Sequence, residues 1–324
     1  VSLLQKERVP NSTAPKRVSK VDFQILGSSE IRKMSAASIT KCDFYEPTSN
    51  KPVSGGVLDL RFGTTSREFP CQTCGCNEHD CPGHFGTIEF VLPVFNTGYY
   101  PHIINTLKCI CKTCSHVLLP KKEIDKRLRR MYTNSNSTIY VKVEKIKALK
   151  KECESVVVCP HCGAFNGPIR KTKSLLLISH EIGMKNEVIK SSYADKFLHL
   201  SLPDIQFDSF SKNVCEDLTP VRVLHLFDNI PVRELPLIMS NWNIENPANM
   251  IIKSMIVPPN CIRPSVISSG EGSTEDDVTI RLREAIDTTI QLQKSIEAGH
   301  TSGVIAEKWN TLQQIGRASC RERV

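Results

Sequence analysis

Residues 71–84 have the sequence Cys71-Gln-Thr-Cys74-Gly75-Cys76-Asn-Glu-His-Asp-Cys81-Pro-Gly83-His84. It holds a Cys-x2-Cys pair and a Cys-x2-His pair, and a two-residue gap lets both members of a pair reach one ion. Three thiolates and one imidazole suit tetrahedral Zn²⁺, and four protein ligands leave no open position for water. The stretch therefore predicts a structural zinc site with the ligands Cys71, Cys74, Cys81 and His84.

A second ligand set is split along the chain. Cys111-x2-Cys114 and Cys159-Pro-His-Cys162-Gly163 have the same pair spacing, but a long basic insertion separates them. The paired spacing predicts a second structural zinc ion held by Cys111, Cys114, Cys159 and Cys162. Cys76 and Cys109 lie beside these ligands and could substitute for them.

Three other readings of these cysteines stay open from the residues alone. The fourteen cysteines could be buried thiols or disulfides, although no secretory signal is visible and thiols inside the cell stay reduced. The metal-binding pairs could interleave in a RING-type cross-brace, or they could form a stand-alone zinc ribbon that binds nucleic acid. The short gap between Cys74 and Cys81 and the long gap between Cys114 and Cys159 argue against the cross-brace.

The composition indicates a globular protein outside the membrane. The chain has 324 residues, 40% of them hydrophobic, and a formal net charge of +8, which is compatible with a polyanionic partner. No apolar run reaches the roughly 18 residues that cross a bilayer. A phosphate-binding glycine loop, a His-Glu-x-x-His motif and a nucleophile elbow are all missing from the sequence.

The rest of the chain predicts an α+β fold. Residues 1–20 read as a flexible basic arm, residues 29–35 as a short helix and residues 87–94 as a strand. The basic section 121–151 is predicted to be partly helical with a break at Asn134, and residues 175–255 to be mainly helical.

A helical hairpin is predicted near the end of the sequence. Thr274 followed by Asp277 indicates a capped helix start, and the stripe Val278, Leu282, Ala285, Ile286, Ile290 and Ile296 has helical spacing. A second helix is expected from near Val304, with Trp309 and Leu312 facing the first. Residues 315–324 resemble the translation of a sequencing adapter, and we expect them to lie outside the biological chain.

Several motifs carry a resemblance to a known family. These are Gly56-Val-Leu-Asp59-Leu-Arg61-Phe-Gly63, Cys81-Pro-Gly-His84-Phe-Gly86 and Leu92-Pro-Val-Phe95. Together they resemble the start of the largest subunit of multisubunit RNA polymerases. The segments 109–114, 159–167 and 257–265 are most similar to the class III version, more than to class II or I. Leu60 departs from the family pattern, which usually has proline there.

The resemblance implies an architecture. Residues 21–260 would form the clamp core with two zinc sites, the mobile arm that closes over template DNA. Residues 261–274 would form a lid-like loop that helps separate RNA from template, and residues 275–314 the truncated clamp helices, a docking surface for transcription factors. The resemblance also implies that both ligand sets bind zinc, which agrees with the prediction from their spacing.

The resemblance also implies a function. The family catalyses template-directed RNA synthesis in the nucleus, class III making small structured RNAs such as tRNA and 5S rRNA. It uses Mg²⁺ held by an Asn-Ala-Asp-Phe-Asp-Gly-Asp motif that this sequence lacks, so Mg²⁺ is expected only in a full-length subunit. Expected partners are the DNA template, the RNA transcript, and the second-largest and smaller subunits, with no membrane. Basic side chains expected to contact nucleic acid are Arg127, Arg129, Arg130 and Arg263.

Overall fold

The computed structural model describes residues 19, 21, 25–49, 51–66, 68–133, 139–172, 177–181, 215–239, 246–268 and 272–321. Its helices are α1 Ser28–Met34, α2 Tyr100–Cys109, α3 Lys121–Thr133, α4 Ile139–Ser155, α5 Pro220–Asp228, α6 Leu235–Ile238, α7 Asp277–Glu297 and α8 Ser302–Arg321. Its strands are β1 Ala37–Ser38, β2 Gly86–Phe95, β3 Ile169–Lys171, β4 Ile178–Glu181, β5 Cys215–Leu218, β6 Ile251–Val257, β7 Val266–Ser268 and β8 Gly272–Thr274. Short 3-10 turns lie at Leu60–Phe62, Thr97–Tyr99, Val232–Glu234, Pro247–Met250 and Asn260–Ile262. The predicted α+β class is confirmed.

Small sheets connect distant parts of the chain. β2 pairs in parallel with β1 and antiparallel with β6, while β3, β4 and β5 form an antiparallel sheet and β7 pairs with β8. β2 is rich in β-branched and aromatic residues, as strands prefer. It tolerates Pro93 because its register with β6 is irregular between Glu89 and Val94.

Three apolar clusters hold these elements together. The largest packs α2 to α6 around the second cysteine set. The second joins Val57 and Phe62 of the loop before the first cysteine set to Leu282 and Ile286 of α7. The third holds Val94 of β2 against α7 and α8. The two cysteine sets therefore lie on different cores.

The predicted helical hairpin is present, and α8 is also fastened to β2. Leu292 of α7 packs with Trp309 and Leu312 of α8, which confirms the predicted facing residues. The Trp309 indole donates to the Pro93 carbonyl at 2.9 Å. The buried Gln313 amide bonds both the N–H and the carbonyl of Phe95, at 2.7 and 2.8 Å. These polar contacts fix the position of α8 along β2.

The predicted helix start was wrong by a few residues. Asp276 caps α7, its carboxylate accepting from the Val278 N–H at 2.8 Å, while Thr274 belongs to strand β8. An N-cap needs extended backbone with its side chain turned towards the first free N–H groups, and Asp276 meets this condition. α8 begins at Ser302, shortly before the predicted Val304.

The prediction for residues 175–255 needed correction. Residues 175–255 were predicted to be mainly helical, but their described part includes β4, β5 and β6, because short apolar runs suit a buried strand as well as a helix. Residues 261–274 contain the β7–β8 hairpin, with residues 269–271 outside the described part. The helices α3 and α4 confirm the helical reading of 121–151; its predicted break at Asn134 lies outside the described residues.

Both ends of the chain are only partly described. The predicted arm, residues 1–20, falls outside the described residues except for Ser19. Residues 315–321 of the adapter-like stretch continue α8, and 322–324 are not described. Among the described residues, no helix combines the length and apolar character that a membrane span requires.

Candidate metal centres

Centre 1 consists of Cys71, Cys74, Cys81 and His84, whose ligand atoms all lie within 4.8 Å of one another. The Sγ atoms of Cys74 and Cys81 are 3.5 Å apart, and Cys81 Sγ is 3.8 Å from His84 Nε2. The structure thus brings the two predicted ligand pairs together around one possible ion position.

Tight backbone turns shape centre 1. After Cys74, Gly75 has φ of +71° and its N–H donates to the Cys71 carbonyl at 2.8 Å. Gly83 has φ of +79°, and a Cβ added there would lie 2.5 Å from Cβ of Pro259. Glycine is needed at Gly83 both for the left-handed backbone and for this close approach.

Centre 2 consists of Cys111, Cys114, Cys159 and Cys162, again within 4.8 Å of one another. Its Sγ contacts are 3.6 Å between Cys111 and Cys162 and 3.7 Å between Cys114 and Cys159. The pairs thus meet despite the long insertion, whose helices α3 and α4 lie between them in the sequence.

The two knuckles of centre 2 repeat one backbone pattern. The N–H groups of Thr113 and His161 point at Cys111 Sγ and Cys159 Sγ, each at 3.4 Å. The residue after the second cysteine has positive φ in both, Gly163 at +71° and Ser115 at +60°. Sequence reasoning missed Ser115, because serine rarely adopts this conformation, although its position matches that of Gly163.

The donor chemistry and spacing fit zinc. With Zn–S bonds of about 2.3 Å, sulfur atoms at the corners of a tetrahedron lie roughly 3.8 Å apart, close to the observed 3.5 to 3.7 Å. A disulfide needs an S–S distance of about 2.05 Å, and the seven cysteines of the two centres are all free. The disulfide interpretation is therefore wrong for these seven cysteines. The cross-brace is wrong too, since each ion position is surrounded by two pairs that follow one another in the sequence.

The thiols of centre 1 differ in proton affinity. Burial raises the pKa of Cys81 to about 11. Burial also opposes ionisation of Cys74, but hydrogen bonds from His84 and neighbouring groups outweigh it and lower the pKa to about 6. A metal ion binds thiolates, so its binding must displace at least the Cys81 proton.

Buried polar groups support centre 2. Lys112, between two ligands, is 4% exposed and donates its Nζ to Asn166 Oδ1. Burial lowers the pKa of Lys112 to about 8 against the opposing effect of the surrounding cysteines. Glu234 accepts from the Val117 N–H at 2.8 Å and lies 3.3 Å from His116 Nδ1. These contacts could not be predicted from local sequence, because Glu234 is more than a hundred residues away from its partners.

Comparison with known proteins shows what family this architecture belongs to. Over residues 15–316 the sequence matches the family described as RNA polymerase Rpb1, domain 1. The chain belongs to this family. The resemblance inferred from the motifs is thereby confirmed, and both ligand sets lie within the matched residues.

Curated relatives include largest subunits of class III. DNA-directed RNA polymerase III subunit RPC1 of Bos taurus is 34% identical over 315 residues, covering 95% of this chain and 22% of that protein. The protein of that name from Homo sapiens is 33% identical with the same coverage. DNA-directed RNA polymerase subunit Rpo1N of Thermococcus celer is 31% identical over 298 residues, covering 92% of this chain and 30% of that protein. The chain thus spans about a fifth of the length of its class III relatives.

Three arginines of α3 were predicted to contact nucleic acid, and their surroundings in this Rpb1 domain 1 chain differ. Arg127 forms ion pairs with Glu123 of its own helix α3 and with Glu152 of α4, so its charge is balanced within the protein. Arg129 and Arg130 lie exposed on α3.

Arg263 is buried inside the protein, although it was predicted to lie in an exposed loop. Its side chain is 1% exposed, and its guanidinium donates to Val57 O at 2.7 Å, Asn260 Oδ1 at 2.8 Å, Pro258 O at 3.1 Å and Thr279 Oγ1 at 3.2 Å. Burial lowers the pKa of Arg263 to about 10, so the group is charged at neutral pH. In this conformation Arg263 is an internal residue, contrary to the predicted contact with nucleic acid.

Proposed function

We propose that this chain is the N-terminal region of the largest subunit of a DNA-directed RNA polymerase of class III, and that it acts in RNA synthesis as part of the assembled enzyme. The observation that carries this proposal is the 34% identity to a class III subunit over 95% of the chain. A stand-alone zinc ribbon would explain the cysteine pairs but not a similarity that extends over nearly all the other residues.

In this proposal the chain holds nucleic acid and takes no part in the catalytic step. The Asp-rich motif that holds Mg²⁺ in the family is missing from this sequence, so nucleotide addition falls to other parts of the enzyme. Residues 21–260 would serve as the clamp core, 261–274 as the lid-like segment and 275–314 as the clamp helices.

Zn²⁺ would be held by the eight ligands of centres 1 and 2. When bound, it supplies rigid cross-links between chain segments and no reactive water, because each centre has four protein ligands. The proposed setting is the nucleus. The proposed partners are template DNA, the transcript, the second-largest and smaller subunits, and transcription factors at α7 and α8.

Purification of the tagged protein from its own cells tests the proposal. We expect it to co-purify with a second-largest subunit and to support template-directed RNA synthesis. Mass spectrometry should find two zinc ions at this chain, and a chelator should release seven protected thiols from the two ligand sets. Unprotected thiols without zinc, or a protein that carries zinc but has no polymerase partner, would each contradict a distinct half of the proposal.

Exposed arginines on α3 are proposed to contact the phosphate backbone. The double variant Arg129→Ala/Arg130→Ala in the assembled enzyme should weaken DNA binding across sequences. The slope of log K against log salt should fall by about 1 to 2, because each lost phosphate contact releases one counterion fewer. Filter binding at several salt concentrations measures both effects.

Arg170→Ala is the matched control for this pair. Arg170 is 70% exposed in its side chain but lies on β3, where it pairs with Glu181 at 2.9 Å. We expect it to leave the salt slope unchanged. If the double variant and this control behave alike, the arginines of α3 are an ordinary solvated surface.

A further inference from the structure

The turn that carries Arg263 connects three parts of the fold through buried polar contacts. Asn260, 5% exposed, donates its side-chain amide to the carbonyls of Asp59 at 3.0 Å and Gly63 at 2.9 Å. Its Oδ1 accepts from the Arg263 guanidinium, which also holds Val57 O and Thr279 Oγ1. Arg263 and Asn260 thus reach the loop 57–63 and the first turn of α7 together.

The loop 57–63 is in turn the support of centre 1. The N–H of His84, a ligand, donates to Phe62 O at 3.1 Å, and the N–H of Gln72 donates to Leu60 O at 3.2 Å. The Thr73 hydroxyl donates to Arg61 O at 2.7 Å. Three positions in or beside the two ligand pairs are therefore bonded to consecutive residues of one loop.

The same loop packs against α7 by apolar contact. Val57 and Phe62, both 0% exposed, share a cluster with Leu282 and Ile286 of α7. Thr279, also 0% exposed, is the residue of α7 that receives the Arg263 guanidinium. The helix is thus connected to the loop by a shared apolar cluster and, through Arg263, by polar contacts.

The bonding of Arg263 makes this arrangement cooperative. All of its acceptors named above are neutral oxygens, while the carboxylates of Asp276 and Glu275 attract it without direct contact. A buried charge that is held directly by hydrogen bonds alone becomes costly as soon as one of its hydrogen-bond partners moves away. A shift of loop 57–63 therefore raises the free energy of the contact with Thr279 as well.

We propose that Arg263 and Asn260 are positioning residues that couple centre 1 to the base of the α7–α8 hairpin. The metal state of centre 1 then sets how firmly α7 is held, while centre 2, which lies in a separate core, does not. This inference rests on the zinc occupancy of the proposed function.

Hydrogen–deuterium exchange on the zinc-loaded full chain tests the coupling. His84→Ala removes one ligand from centre 1, and Cys162→Ser removes one from centre 2. We expect His84→Ala to speed amide exchange over residues 277–286 by about tenfold, because the start of the helix opens more readily once the loop that holds it is loosened. Cys162→Ser should leave this segment unchanged.

A milder substitution separates coupling from simple loss of folding. Thr279→Val removes the acceptor for Arg263 while keeping the side-chain shape. In its background, the added effect of His84→Ala on residues 277–286 should shrink, because the polar connection is already cut. Thr289→Val is the matched control, since Thr289 is also buried on α7 but bonds only the Ala285 carbonyl of its own helix.

The outcomes that overturn the inference are specific. If His84→Ala releases zinc from centre 1 without changing exchange in 277–286, the centre and the helix are not coupled. If Thr289→Val reduces the effect of His84→Ala as much as Thr279→Val does, Arg263 is not the connection. A wild-type chain without zinc would overturn the metal part of the proposed function, and the coupling with it.

Discussion

Cys71→Ser is expected to lower the zinc content from two ions to one and to cost at least about 4 kcal/mol of unfolding free energy. Cys71 is 1% exposed and belongs to centre 1. A serine hydroxyl is a poor zinc ligand at neutral pH, and the segment 71–84 has little apolar core of its own to hold it folded. Inductively coupled plasma mass spectrometry and denaturant unfolding measure the two effects.

Cys76→Ser provides the control in the same loop. Cys76 lies between the two ligand pairs and its Sγ is 3.6 Å from the Cys74 carbonyl, but it is not part of the ligand group. We expect two zinc ions and a stability change within about 1 kcal/mol. Equal loss of zinc in both variants would show that the ligand set of centre 1 is wrongly assigned.

Short-range patterns allowed much of the fold to be predicted. The strand around Ile88, the helix α1 and the α7–α8 hairpin follow from residues that are neighbours in sequence. The described strands β4 and β5 could not be predicted in this way. Their pairing joins segments more than thirty residues apart, as between Ile178 and Leu218. Strand formation there depends on a distant partner, and no local periodicity reports it.

The metal ligands could be predicted from local sequence patterns, whereas the position of Arg263 could not. Cysteine pairs carry their geometry in their spacing, so all eight ligands could be named from the sequence and are brought together in the structure. Arg263 lies in a polar, proline-containing segment that is typical of an exposed loop. Its burial depends on Val57 and Thr279, which lie far from it or on the next helix. A single arginine gives no local signal of such partners.

The position of centre 1 on a second core has a consequence for the proposed clamp. Its supporting loop packs on α7, whereas centre 2 packs with α2 to α6. Loss of either metal ion should therefore loosen a different part of the chain.

Asp59→Ala is expected to cost about 3 kcal/mol at pH 7, because it leaves buried donors without an acceptor. The Asp59 carboxylate is 1% exposed and accepts from the N–H groups of Gly55 and Arg61 and from the Arg61 guanidinium at 2.7 Å. Arg61 is itself partly exposed, which reduces the contribution of the ion pair relative to a fully buried one. Urea unfolding at pH 7 measures the difference, and Arg32→Ala, which removes an exposed ion pair with Glu89, should cost much less.

The pH dependence of Asp59 gives a sharper test. Burial raises the pKa of Asp59, but hydrogen bonds from Arg61 and from the backbone outweigh it and hold the pKa below the usual value of a carboxyl group. A lowered folded-state pKa means that the stabilisation is complete above the unfolded-state pKa and is lost as the pH falls through the folded one. The stability difference between the wild type and Asp59→Asn should therefore be largest near pH 7 and shrink as the pH falls below about 4. Acid also displaces thiolate-bound metal, but it does so in both proteins, so their difference isolates Asp59. A difference that stays constant between pH 7 and pH 3 would show that Asp59 acts through its shape and not through its charge.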